Sequence, residues 1–63
     1  LAGNVTGVHL ARAEYFFLNG AYHRAIQHLE YAKRLTPANN QQLNAKLSQR
    51  IQDLRVAMRR ASS

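Results

Sequence analysis

Apolar residues recur along this chain of 63 residues at the three- and four-residue spacing of amphipathic α-helices. The pattern predicts helices over about 5–19, 22–35 and 40–60. The second helix shows the spacing most clearly, in the series Tyr22, Ala25, Ile26, Leu29, Ala32 and Leu35. The third carries a narrower apolar stripe, made of Leu43, Leu47, Ile51, Leu54 and Met58. We therefore expect an all-α fold, in which an antiparallel helical hairpin is followed by a third helix.

Helix-breaking residues lie at both predicted boundaries. Gly20 stands between two apolar runs, and its freedom to adopt a positive φ allows the first helix to end and the chain to reverse. Pro37 lacks an amide hydrogen and disfavours helical geometry at Thr36, so the second helix should end near Leu35. Asn39 or Asn40 then caps the third helix.

The run from Ala13 to Pro37, AEYFFLNGAYHRAIQHLEYAKRLTP, resembles one tetratricopeptide repeat. The match consists of small, aromatic, glycine and proline residues at the spacings of that repeat, namely Ala13, Phe16, Gly20, Tyr22, Ala25, Leu29, Ala32 and Pro37. Small side chains at Ala13 and Ala25 let the two helices approach closely. The unit over positions 6–39 has the 34-residue period of the family. His9 and Arg12 depart from its usual tryptophan and leucine. An unrelated helical hairpin is the alternative.

The chain length has room for one domain, which we place at positions 1–63. A chain this short buries only about 60% of the surface that its unfolded form exposes. About three tetratricopeptide repeats are normally needed for stability, and the terminal unit requires a cap. We therefore expect a fragment at the end of a longer array, with the helix over about 40–60 as its capping helix. Pairing of the same apolar stripe with a second copy, as a short coiled coil, is the alternative.

Composition restricts the possible partners. Nine Lys and Arg against three acidic residues give a net charge of +6, which favours acidic proteins, anionic lipid or nucleic acid. Four arginines lie on the predicted third helix, but the aromatic residues are not interleaved with them and no nucleic-acid-binding motif is present. The pattern favours a solvated basic face over nucleic-acid binding. No membrane-spanning run occurs in the sequence.

Residues with catalytic or metal-binding chemistry are few and scattered. The three histidines, His9, His23 and His28, form no His-Glu-x-x-His pair, and five residues separate the last two, which turns them about 140° apart on a helix. Glu14, Glu30 and Asp53 lie on three different predicted helices. The chain has no cysteine. We expect no catalytic residues, no metal site and no cofactor in this chain, and histidines that lie partly exposed on helix surfaces.

The tetratricopeptide resemblance implies a binding surface on the concave side of the first helix. On this chain that surface maps to Leu10, Glu14 and Phe17, which share one helix face. Family members that clamp a partner's terminal carboxylate have basic and amide residues where Leu10 and Glu14 stand, so a carboxylate clamp is not expected here. The alternative is that Leu10 and Phe17 pack against a preceding repeat.

A longer resemblance covers the stretch from His9 to Arg60. The segments ARAEYFFLNGAYHRAIQHLEYAKRL and QLNAKLSQRIQDLR are similar to the C-terminal tetratricopeptide region of bacterial Zn-dependent metalloproteases of the BepA (YfgC) type. In that family the catalytic zinc lies in another domain, and the helical repeats engage substrates and outer-membrane assembly machinery in the periplasm. The resemblance implies a periplasmic, non-catalytic part of a zinc metalloprotease.

Three functional hypotheses follow. The first is a non-catalytic module that binds a protein or peptide, as the C-terminal part of a zinc metalloprotease. The second is a helical module that self-associates into a homodimer through Leu10, Phe17 or the apolar stripe of the third helix. The third, less favoured, is a basic nucleic-acid-binding domain.

Overall fold

The computed structural model describes residues 5–62, and positions 1–4 and 63 of the predicted domain lie outside the described residues. Three helices follow one another, α1 (Val5–Leu18), α2 (Tyr22–Leu35) and α3 (Gln41–Ser62). The all-α fold class, with a hairpin and a third helix, is confirmed. The bounds of α2 agree with the sequence pattern, whereas α1 ends one residue before, and α3 two residues after, the expected position.

The turn between α1 and α2 is closed by backbone hydrogen bonds around Gly20. Gly20 has a φ of 78°, as predicted. Its N–H donates to the carbonyl of Phe17 at 3.0 Å, and the N–H of Ala21 donates to the carbonyl of Phe16 at 2.8 Å. This pair of bonds is a Schellman motif, which satisfies carbonyl groups at the end of α1 and reverses the chain.

The variant Gly20→Ala is expected to lower the free energy of unfolding by about 1–2 kcal/mol. A Cβ added at Gly20 would meet no atom within 4 Å, so the cost comes from the positive φ and not from a clash. Urea denaturation followed by circular dichroism measures the loss. Gly20→Asn is the control, because asparagine tolerates the left-handed region better and should lose less. Equal stability of Gly20→Ala and the wild type would contradict this account of the turn.

The segment between α2 and α3 stops one helix and caps the next. The Thr36 backbone is extended (ψ 129°), as expected before Pro37, and its buried hydroxyl donates to the Ala32 carbonyl at 2.7 Å. Asn40 is the cap of α3, since its side-chain oxygen accepts a bond of 3.3 Å from the N–H of Leu43. The side-chain amide of Asn44 also donates to the Pro37 carbonyl at 3.1 Å, which ties the segment to α3.

Helix α2 lies between the other two helices and packs against both. The buried apolar residues come from all three helices and form one core, made of Ala13, Ala25, Ile26, Leu29, Ala32, Leu47, Ile51 and Leu54. Phe16 and Tyr22 are partly buried against this core. The small residues Ala13 and Ala25 are thus buried in the hairpin, as the sequence predicted.

The apolar stripe of α3 is used within the chain. Leu47, Ile51 and Leu54 are buried, and Leu43 and Met58 pack against the core at its two ends. The opposite side of α3 is polar and exposed, which fits its predicted role as a capping helix. None of the described helices is both long and apolar enough to cross a membrane.

Candidate interaction surface

The three residues predicted to bind a partner lie on the side of α1 that meets α3. Arg50 of α3 covers two of them. Its Nη2 atom donates to both carboxylate oxygens of Glu14 at 2.7 Å, and its guanidinium carbon lies 5.1 Å from the centre of the Phe17 ring. The Phe17 ring also packs edge-on against Tyr22. Leu10 is partly buried against the core.

A cleft of about 340 Å³ opens on this side, between α1 and α3. Apolar side chains form most of it, and the Glu14–Arg50 pair lies among its lining residues. The full lining is Leu10, Ala13, Glu14, Leu29, Leu43, Lys46, Leu47 and Arg50. Its volume lies at the lower end of the range for ligand-binding clefts. Helix α3 therefore narrows the access to the predicted binding surface of Leu10, Glu14 and Phe17. A partner would have to enter the cleft beside Leu10.

Another side of α1 carries apolar residues that nothing in the described part of the chain covers. Val8, Tyr15 and Leu18 are 48%, 64% and 82% exposed, and Ala11 between them is also exposed. Their spacing of three, four and three residues places them in one line along the helix. We call Val8, Ala11, Tyr15 and Leu18 the α1 stripe. Sequence reasoning missed it because α1 is apolar at so many positions that the pattern does not show which residues face outward.

Beside the α1 stripe, His9 of α1 and His28 of α2 meet across the hairpin. Their Nδ1 atoms lie 3.0 Å apart, so one ring donates a hydrogen bond and the other accepts it. The His28 ring stacks on Phe16 at 5.3 Å, and the His9 ring stacks on Tyr31 at 5.6 Å. Both histidines are half-buried. One sequence feature points to this contact, because His9 occupies the position where tetratricopeptide repeats have a tryptophan.

The surroundings of the histidine pair are positively charged. Burial lowers the pKa of His28, and the nearby positive charges of His9, Arg12 and Arg24 lower it further. The described residues contain no group of three or more histidine, cysteine or acidic side chains that would hold a metal ion. Because Arg12 and Arg24 also repel a divalent cation, we do not assign a metal to the pair.

A second cleft, of about 390 Å³, runs alongside the α1 stripe. Two stripe residues line it together with aromatic rings and one guanidinium, in the set Ala11, Arg12, Tyr15, Phe16 and His28. Arg24 reaches the same place from α2, with its guanidinium carbon 5.8 Å from the centre of the Phe16 ring. We call this the stripe cleft. Its floor is aromatic and its border is basic.

The arginines of α3 do not form one continuous basic surface. Arg50 pairs with Glu14, and Arg55 lies 3.6 Å from the carboxylate of Glu30 on α2. Arg59 and Arg60 are exposed in the last turn of α3. Two of the four arginines of the predicted cluster thus face carboxylates of the same chain.

No family model, no curated protein and no solved structure matches this chain. The tetratricopeptide and metalloprotease resemblances therefore rest on the residues quoted for them, and the surfaces described above are the basis for any functional assignment.

Proposed function

We propose that this chain is a non-catalytic protein-binding module and that the α1 stripe is its main binding surface. The exposure of Val8, Tyr15 and Leu18 along one line supports this. Single exposed apolar residues are common on protein surfaces, but a row at helical spacing is the arrangement that packs against another helix. A partner helix lying along the stripe would bury all four residues together.

We further propose that the hairpin is a tetratricopeptide unit with α3 as its cap, and that its parent is a periplasmic Zn-dependent metalloprotease. Support comes from the residues that resemble the family, several of which lie at the helix crossing and turn where their chemistry is needed. The module would then recruit protease substrates or outer-membrane assembly machinery, while zinc and catalysis belong to another domain of the parent. Reading the parent's upstream sequence for a signal peptide and a His-Glu-x-x-His helix tests this part, and absence of both would contradict it.

Leu10, Glu14 and Phe17 remain a second proposed contact surface of the same module. A partner segment entering the cleft of about 340 Å³ beside Leu10 would touch Leu10 and Glu14, which line it. Reaching the Phe17 face requires Arg50 to move, because its guanidinium lies over that ring. The α1 stripe needs no such rearrangement, and for this reason we assign it the main role.

Site-specific photo-crosslinking in cells that express the full-length parent tests the binding surface. A photoreactive phenylalanine derivative at position 15 is expected to form adducts with another protein. The same derivative at Gln52, which is exposed on α3, is the control and should form none. Adducts only within the parent chain would show that a neighbouring repeat covers the stripe, and would contradict a partner at this surface. Equal adducts from both positions would contradict it as well.

Self-association is the second candidate, since a row of exposed apolar residues is also available to another copy of the chain. Sedimentation equilibrium distinguishes the two. A monomer at about 0.1 mM, where weak dimers with micromolar dissociation constants would be populated, argues against a homodimer.

A further inference from the structure

We infer that the α1 stripe binds an amphipathic helix that carries carboxylates beside its apolar positions. This inference rests on the proposed function and specifies the chemistry of the partner.

All three acidic side chains of the sequence are engaged away from the stripe. Glu14 accepts both of its bonds from Arg50 of α3. Glu30 faces Arg55 of α3, and Asp53 accepts a bond of 3.0 Å from the side-chain amide of Gln49. Among the described residues, no acidic side chain is therefore left to neutralise positive charge on the stripe side.

Arg12 and Arg24 are the guanidiniums on that side, and within the described residues neither contacts a carboxylate. Arg12 lines the stripe cleft together with Tyr15, and Arg24 lies over the Phe16 ring at its floor. A partner that covers the stripe removes water from these groups, which is costly unless it supplies an anionic acceptor. Carboxylates suit this role because they accept two parallel bonds from a guanidinium.

The same charges disfavour a second copy on this surface. Two stripes face to face would bring Arg12 and Arg24 of each copy towards those of the other, in chains that each carry a net charge of +6. Like charges placed across an interface suppress that pairing. The phosphates of nucleic acid would pair with the guanidiniums, but they would make no apolar contacts with the aliphatic side chains of Val8 and Leu18. An acidic amphipathic helix complements both features.

Binding of three synthetic helical peptides to the full chain tests the inference. Each peptide has about 20 residues, enough to form a helix, and the same leucine stripe. The positions flanking that stripe are glutamate, glutamine or lysine. Fluorescence anisotropy at about 0.1 M salt is expected to give the order glutamate, glutamine, lysine in falling affinity, with at least about a tenfold difference between the extremes.

Variants of the chain separate the charge from the apolar contact. Arg12→Gln should reduce the ratio of the affinities for the glutamate and lysine peptides by about two- to fivefold. Arg59→Gln is the matched control. It removes the same charge from the end of α3 and should leave the affinity ratio of the two peptides unchanged. Leu18→Ser should weaken all three peptides by about tenfold. Circular dichroism confirms that each variant is folded.

The outcomes separate this inference from the proposed function. Equal binding of the glutamate and lysine peptides, with both weakened by Leu18→Ser, would overturn the acidic partner and keep the binding surface. No effect of Leu18→Ser on any peptide, or no binding at all, would overturn both. A DNA duplex that binds more tightly than the glutamate peptide, and is released by Arg12→Gln, would assign the surface to nucleic acid and also overturn the inference.

Discussion

The variant Leu29→Ala is expected to lower the free energy of unfolding by about 3 kcal/mol, within the range of about 2–5 kcal/mol for a buried leucine. Leu29 is 1% exposed and lies on α2, the helix that contacts both others. It also lines the cleft between α1 and α3 with Ala13 and Leu47. A chain of 63 residues has a total stability of only about 3–9 kcal/mol. The variant should therefore keep only about 0–6 kcal/mol and unfold at a much lower urea concentration than the wild type.

Leu35→Ala is the matched control for this prediction. Leu35 ends the same helix but is 52% exposed, so the same change in chemistry removes far less buried surface. Its expected loss is under about 1 kcal/mol. Urea denaturation followed by circular dichroism at 222 nm gives both values. Similar losses in the two variants would show that α2 is not the central helix of the core.

Much of this fold could be predicted from the sequence because its signals are local. Gly20 ends α1 through its own backbone geometry, and Pro37 ends α2 through the residue before it. The periodicity of α2 likewise identifies its buried face without knowledge of the other helices. The apolar stripe of α3 is narrow, and Ile51 and Leu54 are buried where that stripe places them. Each of these features involves residues within about one or two helical turns of each other.

The contacts between helices could not be predicted in the same way. Glu14 and Arg50 are 36 positions apart, and His9 and His28 are 19 apart, so whether they meet depends on how the helices cross. The number of residues between two positions does not determine the angle at which their helices cross. For the same reason, the sequence predicted a binding surface at Leu10, Glu14 and Phe17 without showing that Arg50 of α3 lies over the Phe17 ring. The candidate site on the α1 stripe could be identified only from the structure, which shows how much of each side chain is exposed.

The chain is expected to lose stability as the pH falls below about 6.5, through His28. Its pKa in the folded chain is lowered, first by burial and then by the positive charges of His9, Arg12 and Arg24. The unfolded chain therefore takes up a proton near the ordinary histidine pKa of about 6.5, before the folded chain does. Stability rises with increasing pH, and falls with decreasing pH, wherever the unfolded state binds more protons than the folded state. The contribution of His28 is complete above pH 6.5 and is lost as the pH passes through its lowered pKa.

Urea denaturation between about pH 5.2 and pH 8 measures this loss, a range that lies above the ordinary titration of aspartate and glutamate. The variant His28→Phe keeps a ring against Phe16 but binds no proton, so its stability should depend less on pH than that of the wild type. His23→Gln is the matched control, because His23 is exposed on the same helix, and it should keep the wild-type slope.

The direction in which the free energy of unfolding changes with pH also tests how the charges on the stripe side are arranged. A folded chain that gained stability as the pH fell would have to accommodate a charged His28 better than water does. Only a nearby anion would allow that, and Glu14, Glu30 and Asp53 are held by Arg50, Arg55 and Gln49 of α3. The groups that face the His28 ring are instead His9 and Arg12 from α1 and Arg24 and Tyr31 from α2. None of them is an anion at neutral pH, so a gain of stability in acid would contradict the arrangement on which the acidic-partner inference depends.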